Sequence, residues 1–274
     1  MIQIPDFKDK SELFKWLKLN KHLIITEKKA QLKRADPVVF QNFRETNVGT
    51  IEKSEPNPDL LKLTEFNVKV VINTTNIRDS HKDVHIPGLW KKSLSERKLR
   101  YLLQEHEMKF DHIISDRVTA YTKTISWKEL GFDFQGTTEA LIFDAAIEKA
   151  RNEYMAEQYA KGYVKNHSVG MQYVKIEMAI NSESKYDTEE KAVWDKYINQ
   201  IANKAEVEDD GYFWAVTEAK EVEGSAVPMG SNYATPTISV GKFQEPDPST
   251  LNEPSLTLGK EIDFEKVAQA IKSL

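Results

Sequence analysis

The chain has 274 residues, of which 40% are hydrophobic and 30% charged, and its formal net charge is −5. That is the balance of a folded globular protein with a sizeable core, and the acidic surplus argues against a general nucleic-acid binder. There is no cysteine, which excludes disulfides, thiolate catalysis and cysteine-ligated zinc and points to a reducing cytoplasm. The opening MIQIPDFKDK has no basic-then-apolar signal pattern, and no apolar run is long enough to cross a bilayer, so no membrane partner is expected.

Three zones follow in chain order. Residues 1–62 are expected to form an accessory N-terminal arm. Within it DKSELFKWLKL puts Leu13, Phe14 and Leu17 on one helical face behind Asp9 or Ser11 as N-cap, and KSEPNPD reads as a linker. The core is expected to span 63–241. EFNVKVVINTT alternates and is rich in Val and Ile, so a strand is predicted; RDSHKDVHIPGLW is a polar loop closing on Pro87-Gly88; KKSLSERKLRYLLQ has helical spacing. IISDRVTAYTKTISW and LGFDFQG read as strands, and EALIFDAAI as a strand running into the helix EKARNEYMAEQYAKG, which stops at Gly162. YVKNHSVGMQYVKIEMAI alternates as a strand, residues 181–209 form a helical insertion, and GYFWAVTEAKEVEGSAV is a last strand pair. Residues 242–274 comprise a Pro-rich linker and a short C-terminal helix. Strands dominate with helices between them, so the expected class is α+β with a mainly antiparallel sheet or barrel.

Four groups of residues can carry chemistry. Ser168, in KNHSVGMQY, would need a base to take its proton and a third group to orient that base. Its setting is not the G-x-S-x-G elbow, because Asn166 stands at the first glycine; Gly170 would permit close backbone approach at an oxyanion site. Otherwise Ser168 is an ordinary strand serine. His106, between Glu105 and Glu107, can act as a base near neutral pH or be a surface histidine; His112 is a second candidate. His81, His85 and His106 with Asp83 and Asp111 are potential zinc ligands, but HKDVHIPG runs into proline and lacks the H-E-x-x-H helix. In TEAKEVEGSAVP, Glu221 and Glu223 share one strand face and Glu218 takes the other.

Taken in order, these stretches resemble one family. RDSHKDVHIPGLWKKSL, LLQEHE, KGYVKNHSVGM and KEVEGSAVPMGSN are together similar to segments of the tailed-phage prohead (capsid maturation) serine proteases, related to herpesvirus assemblins, over about residues 66–236. The resemblance implies a compact β-barrel wrapped by helices, with Ser168 as nucleophile and His106 as general base. Assemblins use a second histidine after the serine and an arginine near the oxyanion site, and this chain has neither residue type after Ser168. A carboxylate is implied instead, with Glu221 the best match, Glu223 its rival, and the oxyanion region near Gly170. Asn166 and His167 depart from the small or apolar residues usual there.

The family further implies an endopeptidase that needs no cofactor or metal and cuts scaffold protein or the scaffold arm of the major capsid protein. It would also cut itself, in the host cytoplasm inside the assembling prohead, and self-association is a possibility the family brings with it. The Pro-rich stretch 244–259 is the expected self-processing region. An inactive assembly protein on the same fold and a metal-dependent hydrolase are the alternatives.

Overall fold

A computed structural model describes residues 2–33 and 57–242. Most of the expected linker, the Pro-rich tail and the C-terminal helix lie outside the described residues.

The first helix, α1 (Lys10–Ala30), begins where Asp9 Oδ1 accepts the Glu12 N–H at 2.9 Å, with Glu12 in the first turn and Lys28 and Lys29 in the last, all favourable to the helix dipole. Phe14, Leu17 and Ile24 enter the main hydrophobic core. The helix also docks on α4 (Thr188–Tyr197) of the 181–209 insertion: Lys18 reaches Asp187 at 2.9 Å and Lys21 reaches Glu190 at 2.5 Å. Through α1 the described part of the arm packs on the core.

Two sheets build the rest. In the first, β1 (Glu65–Thr74) lies between β6 (Thr137–Glu148) and β9 (Thr237–Lys242), with β5 (Val118–Ser126) outside β6, all antiparallel. In the second, the spine is β8 (Tyr212–Val227). On one side it pairs in parallel with β2 (Asp83–His85) near its start and β3 (Leu102–Gln104) near its end, and β4 (Ile113–Ser115) extends β3. Along its other side runs β7 (Asn166–Ile180), antiparallel, from Asn166 opposite Val227 to Ile180 opposite Tyr212.

Alternate residues of these strands meet in one core: Phe66, Val68, Val70 and Ile72 of β1, Leu141 and Phe143 of β6, Val169, Met171 and Tyr173 of β7, Trp214 and Val216 of β8. Gly224 permits the close approach: a Cβ there would lie 2.6 Å from the Phe143 ring and 2.9 Å from Ile72 Cδ1.

The class is α+β, but neither sheet closes into a barrel. Closure requires the outer edge of the last strand to be paired by another strand. Among the described residues the outer edge of β7 is met only by two isolated bridges, Asn166–Pro236 and Lys33–Met171.

Tertiary contacts override local pattern in four places. LGFDFQG is a turn, because Phe132 and Phe134 fold back edge-on to Trp127 with ring centroids 6.2 and 5.6 Å away. EALIFDAAI stays strand throughout, and α3 (Glu153–Ala160) starts only after Asn152, which caps the Met155 N–H at 3.0 Å. KKSLSERKLRYLLQ is helical only over α2 (Lys91–Glu96), after which the chain extends into β3. The expected last strand pair is the single sixteen-residue strand β8.

Candidate functional site

The β7–β8 ladder sets the site. Ser168 stands opposite Ser225 and Gly170 opposite Glu223, so these four residues share one face of the sheet. Next to β8, β3 ends at Gln104 and the chain turns sharply through Glu105 (φ 53°) and His106 (φ 60°). Two consecutive non-glycine residues in the left-handed region are strained, and such strain persists only where the surroundings over-determine it. Here they do: Glu105 N–H donates to Ala226 O at 2.9 Å and His106 N–H to Ser225 Oγ at 3.2 Å.

This turn delivers the imidazole of His106 to Glu223. Nδ1–H donates to Glu223 Oε1 at 2.6 Å, and the other carboxylate oxygen, Oε2, accepts the Ser225 hydroxyl at 2.6 Å. Both side chains are buried. With Nδ1 committed as donor, Nε2 carries the lone pair that can take a proton. A Cβ at position 170 would lie 2.1 Å from Glu223 Oε1. Gly170 is thus required to leave room for the carboxylate.

The carboxylate that meets His106 is therefore Glu223, the rival, and not Glu221. Glu221 is held elsewhere: Arg100 Nε donates to its Oε2 at 2.9 Å, Arg97 donates to its backbone carbonyl at 2.6 Å, and its N–H donates to Ser93 Oγ of α2 at 2.9 Å. Burial pushes the Glu221 carboxyl up against the pull of these two arginines. Parity predicts both glutamates on one face, but a β-bulge between them sets Glu223 opposite Gly170 and Glu221 opposite Met171, so they face opposite sides of the sheet and Glu221 meets the cationic stretch 97–100 instead. Gly170 also changes role. Gly224 N–H turns away from β7 to Tyr101 O at 3.1 Å, so the strand alternation turns Gly170 N–H into the ladder with Glu223, where it is not free for an oxyanion.

Of the two facing serines, Ser225 is fully buried and locked between Glu223 and His106, whereas Ser168 is 7% exposed and lines a small cavity. Ser168 makes no side-chain hydrogen bond among the described residues. Gly230, whose added Cβ would stand 3.6 Å from Ser168 Cβ, brings the backbone of the 228–232 loop beside it.

His167, next to Ser168, faces the core. Its Nδ1–H donates to Thr235 O at 3.1 Å and its Nε2 accepts the Tyr159 hydroxyl at 2.9 Å. Burial lowers its pKa from 6.5 to about 4. The unfolded chain therefore binds this proton first, and stability should fall by roughly 3 kcal/mol as pH drops from 6.5 to 4. Urea unfolding across that window should show this slope, and His167→Gln should flatten it; an unchanged slope would refute the assignment.

The other candidates do not join the site. His112 pairs with Asp111 at 2.9 Å on the surface. Glu218 pairs with Lys175 at 2.6 Å. His85 is enclosed between Asn73 (2.9 Å) and the Tyr173 hydroxyl (3.3 Å). No group of three or more His, Asp or Glu side chains among the described residues is arranged to hold a metal, so His81, His85 and His106 do not form the zinc set weighed above. No helix among the described residues is long and apolar enough to cross a membrane.

Sequence reasoning missed Ser225, which looks like any strand serine until the turn at 105–106 meets it. It also missed a buried polar cluster under β7. Asp83, in the polar loop, is fully buried and accepts from Lys28 Nζ and from Tyr173 Oη at 2.8 Å. Burial opposes its ionisation, but Lys28 and Lys33 outweigh that and hold the carboxyl below its usual range. Comparison of the chain with family models, with curated proteins and with solved structures finds no match.

Proposed function

We propose that the protein is a serine endopeptidase. The observation that carries this reading is the clasp in which Glu223, held by Ser225, orients His106 on the sheet face that bears Ser168. Ser168 Oγ attacks the scissile carbonyl; His106 Nε2 takes its proton and returns it to the leaving amine; Glu223 holds the imidazole tautomer and stabilises its charged form. The loop around Gly230, which passes beside Ser168, would supply backbone amides to the oxyanion.

With the motif order described above, the substrate is scaffold protein or the scaffold arm of a capsid subunit, cut inside an assembling prohead in the host cytoplasm, together with the enzyme's own chain. The two open sheets stand in this reading for the barrel of that family. The test is intact mass and fluorophosphonate labelling of wild type beside Ser168→Ala. Wild type should be labelled once and should shorten, and Ser168→Ala should do neither. Equal labelling of both would refute the nucleophile, and labelling of neither would favour an inactive assembly protein.

A further inference from the structure

The outer edge of β7 is a strand-binding edge that the chain partly fills with its own arm. After α1, Lys33 pairs with Met171 in antiparallel fashion: its N–H donates to Met171 O at 2.8 Å and its C=O accepts the Met171 N–H at 3.1 Å. At the other end of the same edge His167 N–H donates to Thr235 O at 3.1 Å. Strand alternation turns the N–H and C=O of Val169, the residue after Ser168, outwards between those two contacts. An extended peptide entering there would lie along Ser168.

The side chain of Lys33 identifies what this edge selects. It is 6% exposed, and its ammonium makes no hydrogen bond among the described residues. It lies 5.6 Å from the centroid of the Tyr173 ring and lines, with Asn73, Asp79, His81, Tyr173 and Ser168, a cavity of about 10 Å³, room for about one water. Burial lowers its pKa, helped by the nearby Lys28 ammonium, while Asp83 and Asp79 attract it. A buried cation with attractive carboxylates near and no acceptor in contact is a recognised but imperfect occupant.

We propose that the β7 edge binds extended peptides carrying a lysine or arginine at the position that pairs with Met171, and that Lys33 holds this place as a tethered competitor. The proposal rests on the peptidase reading for its meaning as substrate selection, but the binding stands apart from catalysis. A substrate adds as an edge strand through backbone bonds, while the cationic side chain enters the pocket lined by Tyr173 and Asp79. A tethered occupant lowers apparent affinity by the fraction of time the edge is free, so displacing it should raise that affinity.

The experiment measures fluorescence anisotropy of a labelled peptide, AQLKRAD, and of the same peptide with glutamate in the lysine position. The proteins are wild type, Lys33→Pro, which loses the N–H bonded to Met171, and Lys33→Ala as the variant that keeps the backbone pair. Folding of each is checked by thermal melting. Lys33→Pro should bind the lysine peptide at least about tenfold more tightly than wild type, with Lys33→Ala between them and the glutamate peptide at least about tenfold weaker. Equal binding of the two peptides, or no gain in either folded variant, overturns the proposal. Fluorophosphonate labelling of Ser168 is read in parallel. Labelling without peptide binding sinks this proposal and leaves the peptidase reading standing; peptide binding without labelling supports the site and sinks the peptidase.

Discussion

Glu223→Ala is expected to lower the rate of Ser168-dependent cleavage by about a thousand- to ten-thousandfold, because His106 loses the acceptor that fixes its tautomer and balances its charge. The melting temperature should move less than the rate does, since Ser225 and His106 retain their own bond. Glu221→Ala should behave in the opposite way. It leaves Arg100, itself buried, without its carboxylate and should cost roughly 3–5 kcal/mol of stability, while cleavage persists below the lowered melting point. The check is a parallel measurement of kcat/KM and thermal unfolding for both variants. Equal rate losses, or a larger rate loss at Glu221, would show that the clasp drawn from His106 to Glu223 is not the working one.

Asp83→Ala carries the second large effect. It leaves the Lys28 ammonium buried without its carboxylate and removes the acceptor of the Tyr173 hydroxyl. Removing one partner of such a pair costs about 3–5 kcal/mol, on the order of 10 °C in melting temperature for a domain of this size. The loss should come with release of the arm, because Lys28 is the last-turn residue that ties α1 to this loop and Lys33 follows it onto β7. Limited proteolysis reads this directly: the peptide bonds around residue 33 should be cut earlier than in wild type. A variant that melts within about 1 kcal/mol of wild type would place the pair among those that contribute little.

The two effects share an origin. Each depends on a carboxylate taken out of water and given one basic side chain and one hydroxyl as partners, and in each case a neighbouring residue of the same type has another fate. Glu223 meets His106 and Glu221 meets Arg100; Asp83 meets Lys28, while Asp79 folds back onto the amides of its own turn, accepting from His81 and Asp83 N–H at 2.8 and 2.9 Å. The pairing, rather than the residue type, decides which carboxylate can serve chemistry and which holds the fold.

By itself the sequence determined much of the local structure. Alternation in 65–74 and 166–180 is a property of neighbouring residues, and those strands form where the pattern puts them. The cap at Asp9 and the stop at Gly162, with φ 69°, are likewise local. The candidacy of Ser168 and His106 follows from local sequence, but a shared face for Glu221 and Glu223, expected from parity, is undone by the bulge between them.

Only the tertiary structure decided the rest. Choosing Glu223 over Glu221 needed the positions of Arg97, Arg100 and His106, which lie more than a hundred residues away in sequence and reach β8 through α2 and β3. Whether the sheets close depended on what meets the outer edge of β7, and among the described residues only isolated bridges from Lys33 and Pro236 do so. The burial of the RDSHKDVH loop arose because lysines from α1 supply the counter-charge that lets Asp83 leave water. Local pattern fixes which atoms a segment presents on each face; long-range charge pairing fixes which of them meet, and the site consists of those meetings.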